Sequence, residues 1–292
     1  MFQGEIAALS AAGLWAFATL MFGRLGKQLS PLVLNLIKGS MAVGFIVLTL
    51  AIRQQLLMSL PMASVWLLLI SGVVGIGLGD TAYFATVNAL GARQALLLEM
   101  LAPPLAALMS LIFLKEQLSP LAWLGMALTL AGIVWVVGER SPRADVPGAR
   151  LIRGVVFGVL SALGQSVGSV LSRAALADTA VDPLWSSLLR LSAGLVCIGG
   201  LLLWRVKPQP SPMISGRLLG GVAIAAFFGT YLAIWLQQIA LKYSPAGIAQ
   251  SLLATSPIMV LPMALVIGER ITFRAICGAL LALVGIWLLF SR

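Results

Sequence analysis

Long apolar runs recur along the whole chain, and they constrain its fold more than any other feature. A helix needs about 20 mostly apolar residues to cross the roughly 30 Å hydrocarbon core of a bilayer. Ten runs of this kind follow one another with short connections. The ten predicted spans are 5–23, 31–52, 64–88, 91–114, 119–138, 152–172, 183–204, 216–239, 243–267 and 272–290. The sequence therefore predicts an all-α integral membrane protein with ten transmembrane helices in a compact bundle.

The composition supports this class and excludes several functions. Hydrophobic residues make up 60% of the 292 residues and charged residues only 10%, whereas soluble domains carry about 25% charged residues. The net charge of +10 does not indicate a nucleic-acid partner, because the Lys and Arg residues lie at the ends of apolar runs. Topology signals belong at those positions. We expect no signal peptide, since the first span follows Glu5 directly and no small-residue cleavage site follows it.

The chain has no histidine, and both of its cysteines lie inside apolar runs. The lack of histidine excludes Ser-His and Cys-His nucleophile pairs and the HExxH zinc motif. Cys197 and Cys277 are expected to be small buried residues rather than parts of a disulfide or metal site. We expect no metal and no cofactor, and we predict that the protein is not an enzyme.

The two halves of the chain resemble each other at a nearly constant offset. Pro31 corresponds to Pro183, and Lys38 to Arg190. The polar segment 138–153 separates the halves, so we predict one five-span repeat in residues 1–145 and a second in 146–292. Two copies of a unit with an odd number of spans must enter the membrane in opposite directions. Such inverted repeats are typical of secondary transporters, whose site lies near the midplane where the repeats meet.

Three charged side chains are predicted to lie deep in the membrane. Asp80 lies about eight residues before the end of the predicted span 64–88, and Glu99 lies about eight residues after the hairpin at 90–91, so both lie roughly 12 Å below the surface. Lys38 enters from the same side to a similar depth. Intramembrane charges are costly and usually face a bundle interior or a wet cavity. We expect the two acids to line a substrate site, the alternative being one buried ion pair, and Lys38 either pairs with an acid or snorkels to the surface.

The residues that correspond to these acids in the second half are uncharged. Thr230 falls near the position of Asp80, and Gln250 near that of Glu99. This asymmetry favours a functional role for the acids.

Further candidates for the substrate site are aromatic, amide and thioether side chains. Tyr231, Trp235 and Gln238 have i, i+4, i+7 spacing and share one helix face, which could stack a flat ring and hold its polar end. The same spacing is also common in buried packing. The remaining candidates are Trp15, Tyr83, Phe84, Met100, Gln165, Trp185 and Gln250.

Prolines interrupt the fourth and ninth spans at corresponding places. They are Pro103 and Pro104 in one and Pro257 and Pro262 in the other. Paired discontinuities in two halves point to the hinges and the site of a transporter, so we predict that these prolines are bends. Small residues spaced by four, such as Gly75 with Gly79 and Gly164 with Gly168, predict close helix contacts.

The chain resembles the drug/metabolite transporter superfamily, in its EamA-type branch. The resemblance rests on the five-plus-five spans, the proline-bearing segments LEMLAPPLAAL and LLATSPIMVLPMAL, and the Lys-Glu and Gly-Glu turns before the last span of each half. It implies a multi-pass carrier of the cytoplasmic (inner) membrane that exports amino acids or toxic organic compounds. It also implies cytoplasmic termini.

The leading functional prediction is a secondary transporter that exports small metabolites, most of all amino acids including aromatic ones, by alternating access. Aromatic walls suit a flat ring. The alternatives are an exporter of toxic organic compounds, a membrane-embedded lipid-modifying enzyme, for which no nucleophile or metal constellation is visible, and a structural membrane protein. The expected partners are a small-molecule substrate and the lipid bilayer, with no nucleic acid, in a monomer or weak homo-oligomer. No GxxxxGK[ST] loop is present, which argues against an ATP-driven pump.

Two arguments about orientation disagree. Of the 19 Lys and Arg residues, twelve lie in loops that follow odd-numbered spans and five lie on the other side. The positive-inside rule would place the odd-numbered loops in the cytoplasm and both termini outside, whereas the family resemblance implies the opposite. The sequence also leaves the coupling ion and the direction of transport open.

Overall fold

The computed structural model describes residues 2–25, 31–56, 60–90, 92–137, 148–205, 215–259 and 273–290, and every regular element in these ranges is a helix. The predicted all-α class is thereby confirmed. The helices are α1 Gln3–Leu25, α2 Pro31–Ile52, α3 Met62–Ser71, α4 Asp80–Leu90, α5 Ala92–Glu99, α6 Ala102–Met109, α7 Pro120–Val137, α8 Gly148–Leu176, α9 Pro183–Arg205, α10 Gly216–Ala226, α11 Ala233–Tyr243, α12 Ala246–Leu253 and α13 Phe273–Phe290.

Several of these helices are long and apolar enough to cross a membrane, so the protein is a multi-pass membrane protein. Five stretches meet both criteria: Val33–Ile52, Met62–Leu90, Gly148–Leu176, Pro183–Leu203 and Gly216–Tyr243. Three shorter apolar stretches cover Ala102–Leu114, Pro120–Trp135 and Ile276–Phe290. The predicted ninth span, 243–267, continues beyond residue 259 and so lies partly outside the described residues. The count of ten spans stays a prediction.

Departures from regular α-helix occur at corresponding places in the two halves. A π-helical segment, Gly72–Gly79, joins α3 to α4, and another, Phe227–Leu232, joins α10 to α11. Helical turns also give way at residues 100–101 and at residues 254–255. A third π-helical segment, Ser110–Leu114, follows α6. π-Helical insertions are rare overall but frequent at functional sites.

The packing of helices relates the two halves as well. Helix α1 packs against α11, while α8 packs against α3, α4 and the π-helical segment between them. These are corresponding pairs with the halves exchanged. Helix α6 packs against its counterpart α12, and α7 against its counterpart α13. This arrangement is consistent with a twofold relation between the halves.

Glycines allow α8 to lie directly against the first π-helical segment. A Cβ atom added to Gly164 would lie 3.0 Å from the Cα of Gly79, and one added to Gly168 would lie 3.1 Å from the Cα of Gly75. The two small-residue motifs noted in the sequence therefore face each other. Because the neighbouring atoms belong to backbone, they have little freedom to move away.

Replacing Gly164 with Ala should destabilise the protein by about 1–3 kcal/mol through overpacking. Gly220→Ala in α10 is the matched control, since nothing lies within 4 Å of a Cβ there. Both changes bring the same gain in helix propensity. Thermal unfolding of the purified variants in detergent measures the difference. Equal unfolding temperatures for the two variants would contradict the close contact between α8 and the π-helical segment.

The outer surface is strongly apolar, as lipid contact requires. Large side chains such as Leu203, Phe113 and Trp287 are mostly exposed, although a soluble protein rarely exposes extensive apolar surface. The side chains of α8 that point inward are instead small or polar, including Ser161, Ser166 and Ser169. The bundle is thus apolar outside and partly polar inside.

Candidate functional site

The polar interior surrounds a cavity of about 370 Å³ between the two halves. Its lining comes from α1, α2, α4, α5 and α6 of the first half and from α8, α9, α11 and α12 of the second, together with the π-helical segments Gly72–Gly79 and Phe227–Leu232. Four ionisable side chains of both signs line it: Lys38, Asp80, Glu99 and Arg190. A small, charged cavity inside an apolar bundle is the type of site that binds a polar solute.

Asp80 and Glu99 both line the cavity, and each lies next to an interruption of its α-helix. Asp80 is the first residue after the π-helical segment Gly72–Gly79, and Glu99 is the last residue of α5, just before the break at 100–101. The helix interruptions expected next to both acids are present, and the similar depth of the acids in the membrane stays a prediction.

Helix α8 holds both acids through a row of polar side chains that we call the α8 polar stripe (Ser161, Gln165 and Ser169). Gln165 Nε2 donates a hydrogen bond of 3.1 Å to Asp80 Oδ1, and Ser161 Oγ donates to Glu99 Oε1. Ser169 Oγ accepts from Gln250 Nε2. The three residues are spaced by four and so lie on one face of α8.

The two basic side chains lie near the same carboxylate. Asp80 is within electrostatic range of both Lys38 and Arg190. Arg190 is only 1% exposed, and its Nε and Nη1 have no hydrogen-bond partner. Glu99 interacts electrostatically with Asp80. The cavity therefore contains two cations around one carboxylate and a second carboxylate on α5.

Six further residues that the sequence singled out also line the cavity. Of the predicted residues, Trp15, Tyr83, Met100, Pro103, Gln165 and Gln250 all contribute to the lining. Tyr83 lies in electrostatic range of both acids. The structure thus brings these residues together with Lys38, Asp80 and Glu99 in a single site.

The predicted face of α11 lies elsewhere. Tyr231 packs among Phe45, Phe227 and Trp235, and its hydroxyl lies 2.9 Å from Thr49 Oγ1. The guanidinium of Arg53 covers the Trp235 ring at 5.0 Å. These two aromatic residues share a face, as their spacing indicated, but they do not line the cavity.

Other predicted residues are also remote from the cavity lining. Gln238 is fully buried and accepts a hydrogen bond of 2.8 Å from Ser186 Oγ. The Trp185 indole donates to the carbonyl of Gln55. Pro104 follows Pro103 in the first turn of α6, where the missing N–H groups of proline are tolerated. Pro257 follows the break at 254–255, while Pro262 and the side chain of Phe84 lie outside the described residues.

Several lining residues were absent from the predicted set. Thr230 of the π-helical segment Phe227–Leu232 and Ile234 and Gln237 of α11 border the cavity. Each of them directly precedes one of the predicted residues Tyr231, Trp235 and Gln238. Asn35 borders it one turn before Lys38, and Arg190 had been noted only as the repeat partner of Lys38. Depth and i, i+3 spacing from Lys38 are the signals that could have identified Asn35.

An ion pair ties together the helix ends at one end of the bundle. Arg173 Nε lies 2.5 Å from Glu116 Oε1, and Arg173 Nη1 donates to the carbonyls of Leu241 and Lys242. The N–H of Ala246 donates to Glu116 Oε2 at 3.2 Å, which satisfies a free donor in the first turn of α12. We call these residues the Glu116–Arg173 cluster. It joins α8 of the second half to the end of the predicted fourth span and to the α11–α12 connection.

A larger groove of about 990 Å³ runs between α4 and α8. Its lining is mostly apolar, with Arg150 and Arg153 among its few charged residues, and it contains none of the predicted site residues. In the described parts of the chain, no group of three Cys, Asp or Glu side chains could hold a metal ion. The 370 Å³ cavity is therefore the candidate site.

A helical bundle that is apolar outside and encloses a charged cavity between two related halves defines a polytopic membrane protein with an internal solute site. The EamA-like transporter family matches the chain twice, over residues 2–138 and 152–291. The chain belongs to the EamA-like transporter family, a family of membrane transporters of small solutes.

Two individual proteins are also similar to this chain. An uncharacterized protein of Pseudomonas aeruginosa is 31% identical over 135 residues, which cover 46% of this chain and 44% of that protein. The match thus spans a little under half of that protein's length. A solved crystal structure superimposes with a TM-score of 0.82 at 19% identity, covering 98% of this chain and 95% of the other. At this identity the likeness shows a shared fold.

Proposed function

We propose that the protein is a secondary transporter that exports small metabolites, above all amino acids including aromatic ones, across the cytoplasmic membrane. The observation that carries the proposal is one small cavity lined by two cations, which lie near Asp80, and by a second carboxylate, Glu99, on α5. A zwitterion presents one charge of each sign, and each would meet an opposite charge in such a cavity. Trp15, Tyr83 and Met100 supply the apolar contacts that a side chain would need.

The transport cycle follows from the repeats. We infer that the two halves are inverted copies that expose the cavity to each side in turn. The mirrored π-helical segments and the mirrored breaks near residues 100 and 254 support this inference. Pro103, Pro104 and Pro257 adjoin those breaks and would serve as bends, and Pro262 would extend the same series.

The Glu116–Arg173 cluster supports a closed state at one end of the bundle. It links four helix ends from both halves, and the side chains of Arg173 and Glu116 are each only 15% exposed. Opening of this end would require the cluster to separate. Breaking such contacts in one state and restoring them in the other is how two-state carriers shift populations.

A second candidate function is the export of organic cations. It draws on the same cavity, because Asp80 and Glu99 line it together with Tyr83 and Trp15. Carboxylates and aromatic rings in one cavity suit a positively charged apolar molecule. Membership in a transporter family argues against the lipid-modifying enzyme that was considered from the sequence.

The function can be tested with purified protein in liposomes. The liposomes are loaded with labelled phenylalanine, threonine or alanine, or with the organic cation tetraphenylphosphonium, and efflux is followed with and without a pH gradient. We expect saturable efflux of at least one amino acid above the rate from protein-free liposomes. Efflux of the cation alone would favour the second candidate. If no solute leaves the liposomes either with or without the pH gradient, both candidate functions would be contradicted.

A further inference from the structure

Arg190 occupies a position that helix packing alone does not explain. It lies about two turns into α9, and at 1% exposure it is the most buried charged residue among those that the structure describes. The backbone of α9 touches the first π-helical segment here, since a Cβ on Gly72 would collide with the Arg190 carbonyl oxygen. A Cβ on Gly75 would lie 3.4 Å from Arg190 Nη2. Gly72 thus allows the α9 backbone to approach, and Gly75 borders the guanidinium.

The guanidinium is incompletely satisfied where it lies. Its Nε and Nη1 are buried without hydrogen-bond partners, and burying unpaired donors of a charged group is expensive. Asp80 is the carboxylate within its electrostatic range, and Asp80 also accepts from Gln165 and interacts with Lys38. One carboxylate therefore serves two cations. Arg190 retains donors and positive charge for a further anion.

The opposite charge lies elsewhere in the cavity. Glu99 is held by Ser161, and the charged group that acts on it is Asp80. The cavity thus has a cationic region on α2 and α9 and an acidic region on α5. This polarity matches a molecule with an anionic and a cationic group a few bonds apart.

We propose that Arg190 binds the carboxylate of the substrate and thereby restricts transport to solutes with a carboxylate, such as amino acids, over amines that lack one. Arginine recognises carboxylates through several N–H donors at once. In this arrangement Glu99 binds the ammonium group of the substrate. The opposite charges of Lys38 and Asp80 offset each other. The proposal rests on the proposed transport function, since it assigns a role within the same cavity.

The test compares ligands that differ only at the carboxylate. Phenylalanine, phenylalaninamide and phenethylamine are titrated against purified protein in nanodiscs, with the dissociation constant as the readout, and alanine and alaninamide form a second set. We expect the acid of at least one set to bind about ten- to a hundredfold more tightly than its amide, the ratio expected for a hydrogen-bonded charge.

Variants then assign that preference to Arg190. Arg190→Gln should remove the preference for the acid over the amide, and Arg190→Lys should restore part of it. Arg53→Gln makes the same change at an exposed arginine and should keep the wild-type ratio. The comparison of ligands on the wild-type protein needs no variant, so it holds even where Arg190→Gln fails to fold.

Two results would overturn the proposal. One concerns the wild-type protein: it binds the amides or phenethylamine as tightly as the acids, or it binds neither acid. The other is an unchanged ratio in a folded Arg190→Gln variant. Efflux of amines or organic cations from liposomes would then still support transport, so failure of the Arg190 role is distinguishable from failure of the proposed function.

Discussion

Glu99→Gln should reduce amino-acid efflux at least about tenfold while the protein folds at normal yield. The amide can still accept the hydrogen bond from Ser161, so the change removes the negative charge and keeps the local contact. Loss of one charge-assisted hydrogen bond to the substrate ammonium corresponds to about 1.5–3 kcal/mol. Initial efflux rates from liposomes containing equal amounts of folded protein give the measurement.

Asp80→Asn should also reduce transport, but with a larger loss of stability. Asp80 is the carboxylate next to both Lys38 and Arg190, and removing one partner of a buried charge cluster typically costs about 3–5 kcal/mol. Thermal unfolding in detergent should therefore separate the two variants. Asp178→Asn makes the same change at an exposed residue in the α8–α9 turn with φ 54°, a conformation that Asn tolerates, and should leave transport unchanged.

Full efflux activity in both Glu99→Gln and Asp80→Asn would remove the two acids from the transport site. A collapse of folding in both, with no folded protein to assay, would instead support the buried ion pair that the sequence also allowed.

Disrupting the Glu116–Arg173 cluster should open one end of the bundle. In a Cys197→Ser, Cys277→Ser background, Ser244→Cys places a reporter at a fully buried residue in the α11–α12 connection. We expect Arg173→Gln to raise the rate of thiol labelling at this position by roughly tenfold, because the variant loses a charged pair and two carbonyl hydrogen bonds. Lys115→Gln removes an exposed neighbouring cation and should leave the rate unchanged.

Substrate should change labelling in opposite directions at the two ends of the bundle, because it shifts a two-state population. Reporters near both ends of the fourth span provide this comparison. Arg150→Cys gives the orientation: labelling only from outside indicates cytoplasmic termini, whereas labelling only from inside supports the count of basic residues. Labelling at both ends that does not respond to Arg173→Gln or to substrate would rule out alternating access of this form.

The sequence was sufficient to predict the class of fold and the three charged residues that share one cavity. The rise per residue of a helix placed Lys38, Asp80 and Glu99 at one level, and all three line one cavity. The mirrored prolines likewise indicated where helices give way, since proline cannot supply the N–H that a continuous helix uses.

The orientation of α11 could not be predicted in the same way. Periodicity shows which residues share a face, but this helix is apolar or aromatic on most sides, so the sequence does not show which face meets the cavity. The π-helical segment Phe227–Leu232 also changes the rotation about the helix axis from one residue to the next. The local sequence does not predict this segment. Tyr231 and Trp235 therefore pack against other aromatic rings, while Thr230 and Gln237 border the cavity.

The state of Arg190 depended on tertiary contacts. Its depth was readable from the repeat, but whether its donors would find partners is decided by helices far away in the chain. Gly72 allows the α9 backbone to approach, and Gly75 borders the guanidinium. Asp80 is shared with Lys38.

The α8 polar stripe has a consequence for how often the protein reorients without a bound solute. Ser161 and Gln165 belong to the second half yet bind the two acids of the first, so an empty carrier that moves these halves apart must give up two hydrogen bonds to carboxylates. At about 1.5–3 kcal/mol each, their loss would keep an unloaded reoriented state below roughly 1% of the population. A bound solute whose ammonium group lies against Glu99 would replace the interaction that Ser161 makes with this carboxylate. The carboxylate that binds the solute would then also hold the empty protein in one conformation, so reorientation without a bound solute would be rare.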